Sequence, residues 1–180
     1  MAKKLPDLDL NELGKPPGYP ALTVARGGAL AEAAAVCLEN QRHKSGKTLQ
    51  VFGLKEAVYR LNWPHVTRQM RSTHNDLQDA TSEGTCAVAI GLARKQTGLL
   101  VVERSRKGTG FDYWLGKDAD TLFQDKSRLE VSGILNGDKS QIASRLEQNK
   151  KQNEQSDSLG LPAFVCVVEF GTPQAHFVKR

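Results

Sequence analysis

The sequence predicts an α/β domain, a mixed central sheet flanked by helices. Three observations carry that reading. Residues 77–94 form a helix whose run Cys86-Ala87-Val88-Ala89-Ile90 is apolar nearly all round, so it belongs against a sheet. Three short segments follow it, Leu99–Glu103, Phe111–Leu115 and Arg128–Ser132, of strand composition and bounded by turn residues. Behind Pro162, Ala163–Val168 is a continuous apolar run, as expected of a strand buried on both faces. A chain of 180 residues with 39% hydrophobic content can build one core of this kind, preceded by an N-terminal extension.

Taken in order, residues 1–25 read as an arm. Pro6, Pro16, Pro17 and Pro20, with Gly14 and Gly18, interrupt regular structure, while Leu5, Leu8, Leu10 and Leu13 suit docking on the body or on a protein partner. Residues 26–75 read as a helical extension. Its first helix, Ala29–Gln41, has a narrow stripe of Leu30, Ala33, Ala34, Cys37 and Leu38 that favours close helix packing. Ser45-Gly46-Lys47-Thr48 ends like a phosphate-binding loop, but Gln41 stands where the first glycine is needed, so the segment reads as an ordinary loop. Leu49–Phe52 is a candidate strand and Leu54–Leu61 a candidate short helix. A helical pattern resumes near Val66, breaks at Asn75-Asp76, and continues into the buried helix, with Thr67, Asp76 and Ser82 candidate N-caps and Gly84 a weak point.

Residues 76–180 read as the core. Arg104–Gly110 is a basic, glycine-bearing connection of hairpin length between the first two strands. A helix from Ser140 to about Gln152 turns Ile142, Ala143 and Leu146 inward. The charged, glutamine-rich stretch Glu147–Ser158 reads as solvated, and Gln174–Arg180 as a further edge strand.

The net charge of +5 permits a polyanionic partner without requiring one. Cys37, Cys86 and Cys166 show neither CxxC nor Cys/His spacing, which predicts buried free thiols in a reducing compartment. No segment reaches the length of a membrane span, and no apolar run follows Met1-Ala2-Lys3-Lys4. The expectation is a cytoplasmic protein with no membrane partner.

The chemistry concentrates between Phe111 and Gly133. Asp112 and Glu130 each sit among apolar strand residues, where a lone carboxylate is costly unless it is paired, hydrogen-bonded or bound to metal. On neighbouring strands the two would make a site for a hard divalent cation, with their carboxylates about 5 Å apart or less. The competing reading leaves both at strand ends, in solvent or in salt bridges. Glu83 reads either as a first-turn acid favoured by the helix dipole or as a third acid pointing at the pair. Arg104, Arg106 and Lys107, three cations in four positions beside Asp112, suit phosphate binding; a solvated hairpin tip is the alternative.

Over residues 76–170 the order helix, strand, strand, strand, helix, strand, with Glu83 on the first helix, Asp112 on the second strand and Glu130 on the third, resembles the PD-(D/E)XK superfamily. This is the restriction-endonuclease-like fold that includes archaeal Holliday-junction resolvases. The resemblance implies an αβββαβ core and a nuclease that hydrolyses phosphodiester bonds in DNA with Mg²⁺ or Mn²⁺, in restriction or phage defence. It implies Asp112, Glu130 and the carbonyl of Val131 as metal ligands, and Glu83 as holder of a second ion or a metal-bound water. The chain departs from the family at Ser132, where the family has a lysine that orients or activates the attacking water. Serine cannot supply that charge, so Lys107, Lys117 and Arg145 become candidates to replace it. The same departure sustains a second expectation: a non-catalytic member of the fold that binds nucleic acid, or a protein through the N-terminal arm. A third is an α/β ligand-binding or structural subunit outside the family.

Overall fold

Side-chain alternation decides which face of each strand is buried, and strand β7 (Ala163–Glu169) is buried at every position. Phe164, Cys166 and Val168 face the main core, while Val165 and Val167 meet Ile142, Leu146 and Val178 on the other side. A strand covered on both faces lies inside the sheet. The computed structural model describes residues 4–180, and among them eight strands form one mixed sheet. The others are β1 (Asp7–Asp9), β2 (Lys47–Gly53), β3 (Ala57–Asn62), β4 (Leu100–Arg104), β5 (Tyr113–Gly116), β6 (Ser127–Ile134) and β8 (Gln174–Lys179), in spatial order β1-β3-β2-β8-β7-β6-β5-β4. β4, β5 and β6 run as an antiparallel meander, β7 lies parallel to β6, and β8 returns antiparallel to β7.

Helices α1 (Val24–Asn40) and α3 (Leu77–Thr97) pack together in the main core, and α3 lies against β6 and β7. Helix α4 (Lys139–Asn153) covers the opposite face, and the short α2 (Arg68–Thr73) packs beside α1. α3 starts where the sequence indicates: the Asp76 carboxylate accepts from the amides of Gln78 at 2.8 Å and Asp79 at 3.1 Å. It ends on Gly98 in the left-handed conformation. Gly84 is a contact rather than a weakness. A Cβ there would come within 2.7 Å of the Ala34 backbone, so the glycine sets how closely α3 approaches the alanine stripe of α1.

Several expectations need correction. Leu54–Leu61, read as a short helix, instead runs into β3, with Tyr59 and Leu61 buried and Val58 exposed in period two. Residues 26–75 are therefore not a purely helical extension: β2 and β3 extend the same sheet, with β2 paired to β8. The N-terminus docks on the body through buried Leu8, Leu10 and Leu13, as its leucines allow, but it also holds a strand that its prolines did not suggest: β1 pairs with β3, and Asp7 bonds Arg60 at 2.6 Å. β8, expected at an edge, lies between β2 and β7. The glutamine-rich stretch is not solvated throughout, because Asn149 and Asn153 of α4 and Ser156 of the 3-10 turn that follows it are buried. No described helix is long and apolar enough to cross a membrane. The cysteines are all free and buried, and burial pushes their thiols upward, to about 11 for Cys37 and Cys86.

Candidate functional site

β5 and β6 pair with Tyr113 opposite Leu129, which sets Asp112 at the mouth of β5 beside Glu130 in the middle of β6. Asp112 is fixed three ways. Its amide donates to the Leu129 carbonyl at 2.9 Å, its carbonyl accepts from the Ser105 amide at 2.8 Å, and its Oδ2 accepts from the Val131 amide at 2.9 Å. On the exposed side, Arg104 Nη2 lies 3.6 Å from Asp112 Oδ1, while its Nη1 donates to the Tyr113 hydroxyl at 2.8 Å. Glu130 is buried and its Oε1 accepts from Gln152 Nε2 of α4 at 3.0 Å.

The two carboxyls meet. Burial is the main force raising both, and for Glu130 the charge of Asp112 adds to it, pushing that carboxyl up to about 8. Burial raises Asp112, while the Val131 amide and Arg104 act against it by holding its ionised form. Near neutral pH Glu130 therefore keeps its proton, and the pair avoids holding two negative charges side by side. An acid pair this poorly compensated is a place where a cation is electrostatically favoured.

The pair forms one wall of a cleft of about 510 Å³ whose rim is the loop after β4: Arg104, Arg106 and Lys107 all line it. This loop is more than a solvated hairpin tip. Ser105 and Thr109 share a hydroxyl hydrogen bond of 2.5 Å, and Thr109 also donates to the Arg106 carbonyl at 2.9 Å. Gly110, at φ 80°, packs so tightly on α4 that any Cβ would overlap the Gln152 carbonyl. The predicted phosphate-binding residues and both strand acids thus converge.

The remaining candidates do not join them. Glu83 turns to the helical layer instead: its Oε1 pairs with Arg26 of α1 at 2.8 Å, and its Oε2 lies 4.0 Å from His74. The helix carries its acid where expected, but α1 supplies a cation on that side. Among the described residues no three Asp, Glu, His or Cys side chains converge closely enough to hold an ion. Ser132 shares the Glu130 face, but its hydroxyl accepts from Asn149 Nδ2 at 2.7 Å and it lines a second cleft, of about 640 Å³, together with Arg145. Of the candidate replacements for the missing lysine, Lys107 shares the cleft with the acids and Arg145 does not. Lys117 is excluded, since it follows the far end of β5, roughly 16 Å along the chain from Asp112.

Mg²⁺ is commonly held by one or two carboxylates and keeps several of its waters, so the two strand acids meet the minimum donor set. In an extended strand a residue's N–H and C=O point to one edge, so the Val131 carbonyl lies on the edge that carries its bond to Asp112. Asp112, Glu130 and Val131 therefore fit a single hard cation. Glu83 adds nothing to that set.

Sequence reading missed Gln152 and Asn149, the α4 side chains that hold Glu130 and Ser132. The signal was present: Ile142, Leu146, Asn149 and Asn153 continue one helical stripe at spacings of four, three and four, apolar at first and then amide. No protein-family model, curated protein or solved structure matches the chain.

Proposed function

We propose that this chain is a metal-dependent nuclease hydrolysing phosphodiester bonds in DNA, with the restriction-endonuclease-like core formed by α3, β4, β5, β6, α4 and β7. The observation that carries the reading is the Asp112–Glu130 pair, side by side on neighbouring strands at the wall of a cleft rimmed by three cations. The element order and the antiparallel meander followed by a parallel strand support the same assignment.

In this reading Asp112, Glu130 and the Val131 carbonyl hold Mg²⁺ or Mn²⁺. Such an ion, when bound, makes water nucleophilic near neutral pH and offsets charge on the phosphate. Arg104, Arg106 and Lys107 bind the phosphates and set the backbone against the acids. Lys107, in the same cleft, takes the orienting role that Ser132 leaves open. Gln152 holds the Glu130 carboxyl in place. Cation binding displaces the Glu130 proton, so affinity for the ion rises with pH toward 8.

Single-stranded, duplex and branched DNA, and RNA, incubated with Mg²⁺ or Mn²⁺ and then with a chelator, test the proposal. Cleavage that needs the metal and disappears in Asp112→Ala, with the fold intact by circular dichroism, is the expected result. A wild type that cuts none of these substrates under either metal overturns it. The bond from Asn149 to Ser132 favours a second reading, because a polar lock occupies the lysine position: a non-catalytic member of the fold that binds nucleic acid through the same cleft. Binding without cleavage would identify that case.

A further inference from the structure

We infer that the substrate of this site is a polynucleotide strand long enough to cross β6, and that Arg145 of α4 binds its backbone on the far side of the acid pair. The inference rests on the nucleic-acid reading of the first cleft. It arises from the second cleft, lined by Gln78, Ser82, Val131, Ser132, Gly133 and Arg145 among others, which begins on β6 next to where the first one ends: Glu130 lines one and Val131 the other.

Both clefts border a stretch of β6 that β5 does not cover. β5 begins only at Tyr113, which pairs with Leu129, so from Val131 onward the β5-side edge of β6 is left without a strand. Gly133, two residues after Val131, presents its N–H on that edge. From Glu130 to Ile134 the open stretch runs about 13 Å. Helix α3 packs on the same stretch so closely that a Cβ at Gly133 would overlap the Thr85 hydroxyl.

The charge of the second cleft is one-sided. Arg145 is the one charged residue lining it, is exposed, and has no ion-pair partner among the described residues. The Thr81 hydroxyl already donates to the Leu77 carbonyl at 2.6 Å, whereas the Ser132 hydroxyl accepts from Asn149 Nδ2 at 2.7 Å and keeps its own proton to donate. An anion in this groove thus meets the guanidinium, the Ser82 hydroxyl, the Gln78 amide and an open strand edge, with no carboxylate lining the cleft. On the other flank Arg106 and Lys107 also lack ion-pair partners among the described residues. Unpaired cations on both sides of one acid pair fit a backbone that carries a phosphate at every nucleotide. A mononucleotide or small phosphate ester has nothing to place on Arg145.

Binding of fluorescein-labelled oligothymidine, in chelator so that cleavage plays no part, tests this across a salt series. Each phosphate contact to a single strand contributes about 0.7 to the slope of log K against log salt. Arg145→Gln should lower that slope by about 0.7 for a long oligomer and leave binding of a dinucleotide unchanged. Arg106→Gln should weaken both ligands. Urea unfolding of Arg145→Gln should match the wild type. If Arg106→Gln weakens binding while Arg145→Gln leaves both slope and affinity for the long oligomer untouched, the inference is overturned and the nucleic-acid reading of the first cleft stands. If the wild type binds neither oligomer, both fall.

Discussion

Replacing Glu130 by glutamine should flatten the pH dependence of stability by about one proton. In the folded chain Glu130 keeps its proton to about 8, against an ordinary value of 4.5. Between those values the folded state binds a proton that the unfolded state has released, so stability falls as pH rises through this window, by at most about 1.4 kcal/mol per pH unit. From about pH 5 to about pH 8 the accumulated loss is about 3 kcal/mol, or roughly 6–12 °C in Tm for a chain of this size. Glutamine fills the same volume and donates to Asp112 without titrating. Chemical denaturation of both proteins across this range, in chelator, measures the difference: wild type and Glu130→Gln should have similar stability near pH 5 and diverge toward pH 8, the variant being the more stable. Added Mg²⁺ should restore the wild type at the alkaline end and leave the variant little changed, because ion binding to the folded state alone adds to stability. Parallel pH curves for the two proteins would refute the proton held on Glu130, and with it the electrostatic argument for a cation at this pair.

Two further outcomes follow from packing. Gly133→Ala should destabilise the fold by about 1–3 kcal/mol in urea, because its methyl overlaps the Thr85 hydroxyl and α3 must shift away from β6; an unchanged midpoint would show that α3 has slack there. Arg128→Met should cost about 3 kcal/mol in the same assay. This buried guanidinium donates to the Asn153 carbonyl at 3.2 Å, the Ser156 hydroxyl at 2.6 Å and the Leu161 carbonyl at 2.8 Å, and those acceptors lose their donor; a neutral substitution would mean that water replaces it.

The sequence was legible where one local rule decides the outcome. Helix α3 could be read because its N-cap, its apolar run and its terminal glycine agree. Asp112 and Glu130 could be brought together because each is an acid set in an apolar strand-like segment, and consecutive strands of that kind commonly pair. The failures are non-local. Leu54–Leu61 reads as a short helix from its own residues, and pairing with β2 and β1 makes its second half a strand. The arm docks because Leu8 finds Gly91 of α3 and β1 finds β3, partners that local proline content does not disclose. Glu83 shows the same limit inside the site. A helix wedged between a sheet and a second helix has two covered flanks, so periodicity places an acid near a buried run without saying which flank it serves; Arg26 of α1 decides that. At Ser132 the residue alone marks a lost charge, while the fold brings in Asn149 and Gln152 from the end of a helix that reads as solvated. The acid pair is therefore the part of the site written in strand register. What surrounds it was written in the packing of α1 and α4, and there the side chains that tune Glu130 and the cations that flank it had to be found in space.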